Sequence, residues 1–372
     1  MLTRYDDYPV HQTADPVAHP STSDLNFYDR YFFNGFTRTG DLYFGASMGL
    51  YPNRRVQDAS LSVIREGRQL SLHASRLAPA ERGETRVGPV TVEVIDPMRT
   101  LRLVASPNET GLACDLVFRA RSAAVEEPRM LLAQQGRVMM NTTRFTQFGS
   151  WQGTITLEGK RIDVAPEQVV GMRDRSWGIR PVGERIQAAP APLPQFFWLW
   201  APIHFDQRCT LFGAMEDASG RTEHANGAIV RAHASADEVP VTDDSETLRM
   251  AAVRHRLQWE KGTRRSTSAE IELLPPGGEP LVIVLEPILT FQMLGLGYTH
   301  FEWGHGMWKG EDALASESWQ LDELNPLDPR HFHVQQLCRA RLGDEEGIGC
   351  LEQLAIGPHA PSGFESLLDG AR

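Results

Sequence analysis

Several signals are missing from this chain, and each absence removes a class of function. No run of lysine and arginine exceeds two residues, and 37 basic residues face 48 acidic ones for a formal charge of -11. A phosphate backbone needs a basic face, so nucleic acid is not an expected partner. No stretch of about 18 consecutive apolar residues occurs, so no membrane-spanning helix is expected. Cys114, Cys209, Cys338 and Cys350 lie far apart, with neither a disulfide framework nor a Cys-x-x-Cys zinc pattern. Reduced core thiols of a cytoplasmic protein are the expectation. The opening Met1 to Pro9 has no basic segment followed by an apolar one, so a secretory leader is not expected either. Phosphate-cradling glycine loops and a nucleophile elbow are also missing.

What is present is globular: 372 residues, 41% apolar and 23% charged, enough for two domains of about 150 to 200 residues. Residues 1–24 carry Pro9, Pro16 and Pro20 without apolar period and read as an extended arm. Ser23 and Asp24 suggest the cap of a short helix over Asn26 to Tyr31. Beyond Phe32 the period is two. In Leu42 to Tyr51, Leu42, Phe44, Ala46, Met48 and Leu50 share one face, and the other face is small or polar with tyrosines at its ends. Similar runs separated by short turns continue to Ala355, and only 234–247 and 314–324 read as helical. The expected fold is all-β: two consecutive antiparallel lipocalin-like barrels with few short helices, over 25–168 and 169–372.

Three clusters carry chemistry. In Gly171 to Pro181, Arg173, Arg175 and Arg180 crowd Asp174 beside Trp177. On a strand, Asp174, Ser176 and Arg180 point one way, and Arg173, Arg175 and Trp177 the other. The motif reads either as an ion-pair corner or as the polar end of a pocket. Next, Gln195 to Asp206 places Phe196, Trp198, Trp200, His204 and Asp206 on one face, an aromatic wall with an imidazole and a carboxylate at its end. Finally, Tyr298 to Trp308 read as a strand puts Tyr298, His300 and Glu302 on one face and Trp303 and His305 on the other. A converging metal triad is therefore not expected there. His331 and His333 have cupin-like spacing, but no glutamate follows them on the same strand.

Tyr5 to Thr13, Asn26 to Tyr31, Arg173-Asp174-x-Ser176-Trp177-Gly178, Leu351-Glu352-Gln353 and Gly357-Pro358-His359 together resemble the carotenoid 1,2-hydratase (hydroxyneurosporene synthase) superfamily, most closely a bacterial branch of it. The resemblance runs over nearly the whole chain. It implies two lipocalin-like barrels, no cofactor, and acid-assisted chemistry on hydrophobic molecules: water addition to isoprenoid double bonds or, in distant fungal members, ring-forming cycloaddition. It also implies that Arg173, Asp174, Ser176, Trp177 and Gly178 belong to the site. The family often has histidine where this chain has Arg175. A second arginine would hold Asp174 ionised, which makes Glu302, Asp206 and His300 alternative acids.

The sequence thus predicts a cofactor-independent lyase or hydratase acting on a hydrophobic, isoprenoid or aromatic small molecule in an aromatic-lined barrel cavity. The expected catalytic residues are Asp174, Glu302, His300, His204 and Asp206. Trp177, Trp198, Trp200, Tyr298, Trp303, Arg173 and Arg180 would bind substrate, and no metal is expected. A non-enzymatic carrier would use the same cavity without converging carboxyls; a metal-dependent oxygenase would use His331 and His333.

Overall fold

In the computed structural model, residues 1–134, 136–184, 194–241 and 245–372 are described. Strands dominate, and the helical elements among the described residues are single 3-10 turns. None is long and apolar enough to cross a membrane. The chain forms two curled antiparallel half-barrel sheets, the two lipocalin-like units expected from the period-two pattern.

The first sheet folds its end back onto its beginning. Val169–Ile179 lies between Phe27–Thr37 and the long strand Arg137–Leu157. The chain changes sheets between Ile179 and Phe196, so the arginine motif stays in the first sheet and the tryptophan strand Phe196–His204 opens the second. The second sheet also lends a strand back: Ala313–Gln320 pairs with Arg68–Leu77 at the edge of the first. That segment read as helical in the sequence. From Ala315 to Gln320 its burial alternates instead, because alternate residues lie against the barrel edge. Asn26 to Tyr31 likewise enters a strand rather than a helix, its aromatic content favouring a pleated surface. Over 234–247 the described helical residues are the single turn Ala236–Glu238. Tyr298 to Trp308, expected as a strand, is a loop.

Strand alternation builds three cores. Phe33, Phe44 and Phe118 pack around Trp151 in the first lumen, with ring centroids 5.2–5.8 Å apart. Phe197, Leu199 and Phe212 fill the second lumen. Phe32, Phe36 and Tyr43 turn the other way and meet Trp198, Trp200 and Phe291 in a seam between the sheets. All nine residues of Tyr43–Tyr51 are buried for this reason: one face is lumen and the other is seam. The aromatic wall predicted from Phe196 to Trp200 therefore lines the seam rather than the inside of a barrel.

Gly178 ends the arginine motif at φ +128, where a Cβ would lie 2.1 Å from the Asn141 carbonyl oxygen. Gly178→Ala is expected to cost about 2–3 kcal/mol in a urea melt, from a backbone region that side chains avoid and a collision with a neighbouring strand.

Candidate active site

A cavity of about 220 Å³ lies in the seam. Its residues come at i, i+2, i+4 spacing from strands of both sheets: Tyr28, Arg30 and Phe32; Thr142 and Arg144; Asp174 and Ser176; Phe196, Trp198 and Trp200; Glu352 and Leu354. Glu127, Arg180, His224, Tyr298 and His333 complete the polar wall.

Asp174 is the most exceptional group in it. The carboxyl is 6% exposed and its Oδ1 has no hydrogen-bond partner among the described residues. The arginines adjacent in sequence do not hold it. Arg173 turns into the first barrel and donates to Gln147 Oε1 at 2.9 Å. Arg175 pairs with Asp29 at 2.7 Å and covers Tyr31. Arg180 reaches His305 Nδ1 at 3.0 Å. The charges that act on Asp174 come from neighbouring strands. Arg30 and Arg144 both stand opposite Ser176 in register, while Asp174 stands opposite Phe32 and Thr146. That places both guanidiniums on a diagonal, roughly 7–8 Å in Cα spacing, near enough to lower its pKa but not to pair. Burial outweighs them, helped by the Glu127 and Glu352 charges, and raises Asp174 to about 6.

Glu352 is its counterpart. Burial pushes this carboxyl up, but the charge and hydrogen bond of His333, the Gln335 amide and Arg144 more than offset it, and its pKa falls below the usual range. His333 Nε2 and Trp198 Nε1 lie 3.0 and 3.1 Å from Oε1, and Gln335 Nε2 donates to Oε2 at 2.6 Å. His333 Nδ1 and Trp200 Nε1 have no partner among the described residues, so two unused polar atoms sit in the cavity wall beside it. Arg144 is spoken for: it makes a two-pronged pair with Glu127 at 2.8 and 2.5 Å and lies over Trp198 and Trp200 at 5.2 and 5.3 Å.

Of the residues the sequence singled out for this site, Asp174, Ser176, Arg180, Phe196, Trp198, Trp200 and Tyr298 meet here. The rest are elsewhere, each for a local reason. Trp177 is exposed, on the face of its strand opposite Asp174, and Arg173 shares that orientation. His204 is buried but donates from Nε2 to the Gly171 carbonyl (3.0 Å) and contacts Arg121, at the far end of the tryptophan strand. Asp206 is exposed beyond it. Because Tyr298 to Trp308 is a loop, Glu302 points to solvent and Trp303 stacks on His73 at 5.6 Å. Sequence reasoning missed Arg30, Arg144, Glu127, Glu352, His333 as a cavity residue, and His305 as a ligand of two arginines. Glu352 and Arg30 stood inside the motifs carrying the family resemblance, which was the available signal.

His300 belongs to a second cavity, of about 540 Å³, lined also by Glu302, Glu317 and His331. His73, His300 and Glu317 place their ligand atoms within 4.8 Å of one another. Both imidazole Nε2 atoms bond Glu317 Oε1, at 2.8 and 2.7 Å, and draw its carboxyl down to about 2 against burial. His300 Nδ1 accepts two main-chain N–H groups, from Glu302 (3.0 Å) and Trp303 (2.9 Å), so its ring proton sits on Nε2. A metal would need that lone pair. The trio is a hydrogen-bonded clamp fastening the lent strand Ala313–Gln320, and Co(II) titration is expected to give no visible absorption bands and no thermal shift. His331 and His333 line different cavities and cannot share a metal.

The sequence profile of a family of unknown function, DUF8625, matches residues 2–365. No curated protein matches the chain. Among solved structures, a candidate AttH from Nitrosomonas europaea superposes with a TM-score of 0.54 at 12% identity, over 93% of this chain and 98% of that one. Kievitone hydratase from Nectria haematococca gives 0.49 at 13% identity over 88% of each chain. CghA gives 0.49 at 12%, over 89% of this chain and 88% of its own. The first of these is a likeness of fold.

Proposed function

The chain belongs to that family of unknown function, and from there we propose that it is a cofactor-independent lyase of the hydratase or cyclase type, acting by acid–base chemistry on a compact hydrophobic molecule in the seam cavity. The observation that carries the reading is the pair of buried carboxyls whose environments drive them apart, Asp174 up to about 6 and Glu352 down. Such a separation marks an acid and a base in one site. The resemblance to the carotenoid 1,2-hydratase superfamily around Asp174 supports the same assignment.

Asp174, protonated, donates to a double bond or carbonyl of the bound molecule. Its neighbours keep no hydrogen bond on Oδ1 that the proton transfer would have to break. Positive charge developing on the substrate faces the Glu352 carboxylate. It does not rest on the indole faces of Trp198 and Trp200, where the Arg144 guanidinium already lies. In a hydration, water held by His333 Nδ1 adds to the cationic carbon and releases its proton toward Glu352, and solvent exchange returns a proton to Asp174. In a cyclisation the same two carboxyls give and take the proton without water.

A volume of about 220 Å³ corresponds to roughly seven water-sized units, at about 30 Å³ for each. The enclosed part of the substrate is therefore a small ring system or the end of a longer chain. Converging carboxyls favour an enzyme over a carrier. The test is to take the small molecule that co-purifies with the protein and incubate it with fresh protein in heavy water. A lyase returns it hydrated, dehydrated or rearranged with deuterium on carbon; recovery of the unchanged molecule would sink the reading in favour of a carrier.

A further inference from the structure

We propose that the ligand of the seam cavity carries one ionised oxygen group, a carboxylate, held between Arg30 and Arg180. The proposal rests on the seam cavity being the functional site and adds the chemical class of what it takes.

Arg30 is 2% exposed, yet its hydrogen-bond partners are neutral. NH1 reaches His305 Nδ1 at 3.1 Å, NH2 donates to the Tyr298 hydroxyl, and Nε has no partner among the described residues. Arg180 converges on the same His305 Nδ1. His305 Nε2 bonds the Leu296 carbonyl at 2.7 Å, which puts the ring proton there and leaves Nδ1 as an acceptor for both guanidiniums. Its burial and the two arginines keep it neutral, its pKa well below the usual value. A buried and a half-buried guanidinium thus meet on a neutral imidazole, both against the Tyr298 ring at 4.8 and 5.5 Å, and neither has a carboxylate ion pair among the described residues. Guanidiniums arranged this way fit the two oxygens of a carboxylate.

Charge in the cavity points to the same ligand. Arg30, Arg144 and Arg180 face Glu127, Asp174 and Glu352, and with Asp174 protonated one positive charge is left over. Arg144 is consumed by Glu127, and Glu352 by His333, Trp198 and Gln335. The surplus lies at Arg30 and Arg180. Burial and the Arg144 charge lower the pKa of His224, against the pull of Glu127. Asp58 senses Arg30 from behind and burial raises it to about 6, but its carboxyl is bonded to Gly306 N and the Tyr51 hydroxyl and does not line the cavity. An anion docked on the two arginines takes over the charge balance that ionised Asp174 otherwise supplies, so its binding draws a proton onto Asp174. The substrate's own charge would load the acid.

Calorimetric titration with cinnamate and with its neutral isostere cinnamamide tests this. At about pH 5.5 cinnamate is expected to bind about tenfold or more tightly than the amide. Between about pH 5.5 and about pH 7.5 its affinity should fall several-fold as Asp174 ionises, while Asp174→Asn should weaken that dependence, leaving the smaller part that Asp58 contributes through Arg30. Arg180→Gln, whose amide can still donate to His305, should erase the preference for the acid. Equal binding of acid and amide, a preference that survives Arg180→Gln, or no binding of either probe at millimolar concentration would overturn the proposal. Turnover is not needed for the measurement. Equal binding beside a wild-type enzyme that still turns over would reject the anion site alone, and a carboxylate preference in a protein without turnover would reject the lyase alone.

Discussion

Asp174→Asn is expected to abolish turnover, by a factor of about 10² to 10⁴, while making the protein more stable above about pH 6. The two effects have one cause. A carboxyl whose pKa in the folded protein stands at about 6, against an ordinary 3.8, prefers to be protonated there. Its contribution favours folding fully below pH 3.8 and is lost as pH rises through about 6. Above that range the folded protein carries a buried carboxylate at a cost of about 3 kcal/mol, at about 1.4 kcal/mol for each unit of pKa. Asparagine removes the ionisation without leaving any partner bereft, since Oδ1 has none among the described residues. Urea melts at about pH 4.5 and about pH 7.5 should therefore show the variant gaining on the wild type as pH rises. A variant that melts lower at both would mean that Asp174 is the ion-pair corner after all. A stability gained by removing an active group is the familiar trade between stability and function.

Glu352→Gln should lower activity by about 10² or more and destabilise the seam by about 2–4 kcal/mol, because the two losses come from different atoms. His333, Trp198 and Gln335 all donate to the carboxylate. An amide in its place must turn its NH2 toward one of those donors. Gln335 cannot readily flip to accept, since its Oε1 already receives Asn34 and Tyr43. The pH profile separates catalysis from scaffolding. The Glu352 charge helps raise Asp174, so neutralising it should move the high-pH limb of the residual activity, where Asp174 loses its proton, to lower pH. An unmoved limb with reduced stability would make Glu352 a purely structural residue.

The arginine motif illustrates what was legible and what was not. Strand alternation correctly separated Asp174, Ser176 and Arg180 from Arg173, Arg175 and Trp177, because a pleat turns successive side chains to opposite faces whatever surrounds them. It could not say which basic residues would act on Asp174. Proximity in sequence suggested Arg173, Arg175 and Arg180, whereas cross-strand register supplies Arg30 and Arg144, over a hundred residues before and 30 before it respectively. The loop Tyr298 to Trp308 failed for a related reason. Its aromatic content fits a strand locally, but its tertiary role is to carry Tyr298 and His305 across to the arginines, which an extended segment in a sheet would not do.

The sequence by itself determined the β class, the two-unit organisation of the fold, the aromatic face of Phe196 to Trp200 and the face on which Asp174 lies, all of which follow from residue type and a period of two. Tertiary structure alone decided that the cavity lies between the sheets, that Glu352 and His333 from the end of the chain meet Asp174 from its middle, and that Asp174 is freed from its own arginines. Those outcomes depend on pairing register and sheet packing, which bring together side chains far apart in sequence and set how much water each carboxyl loses.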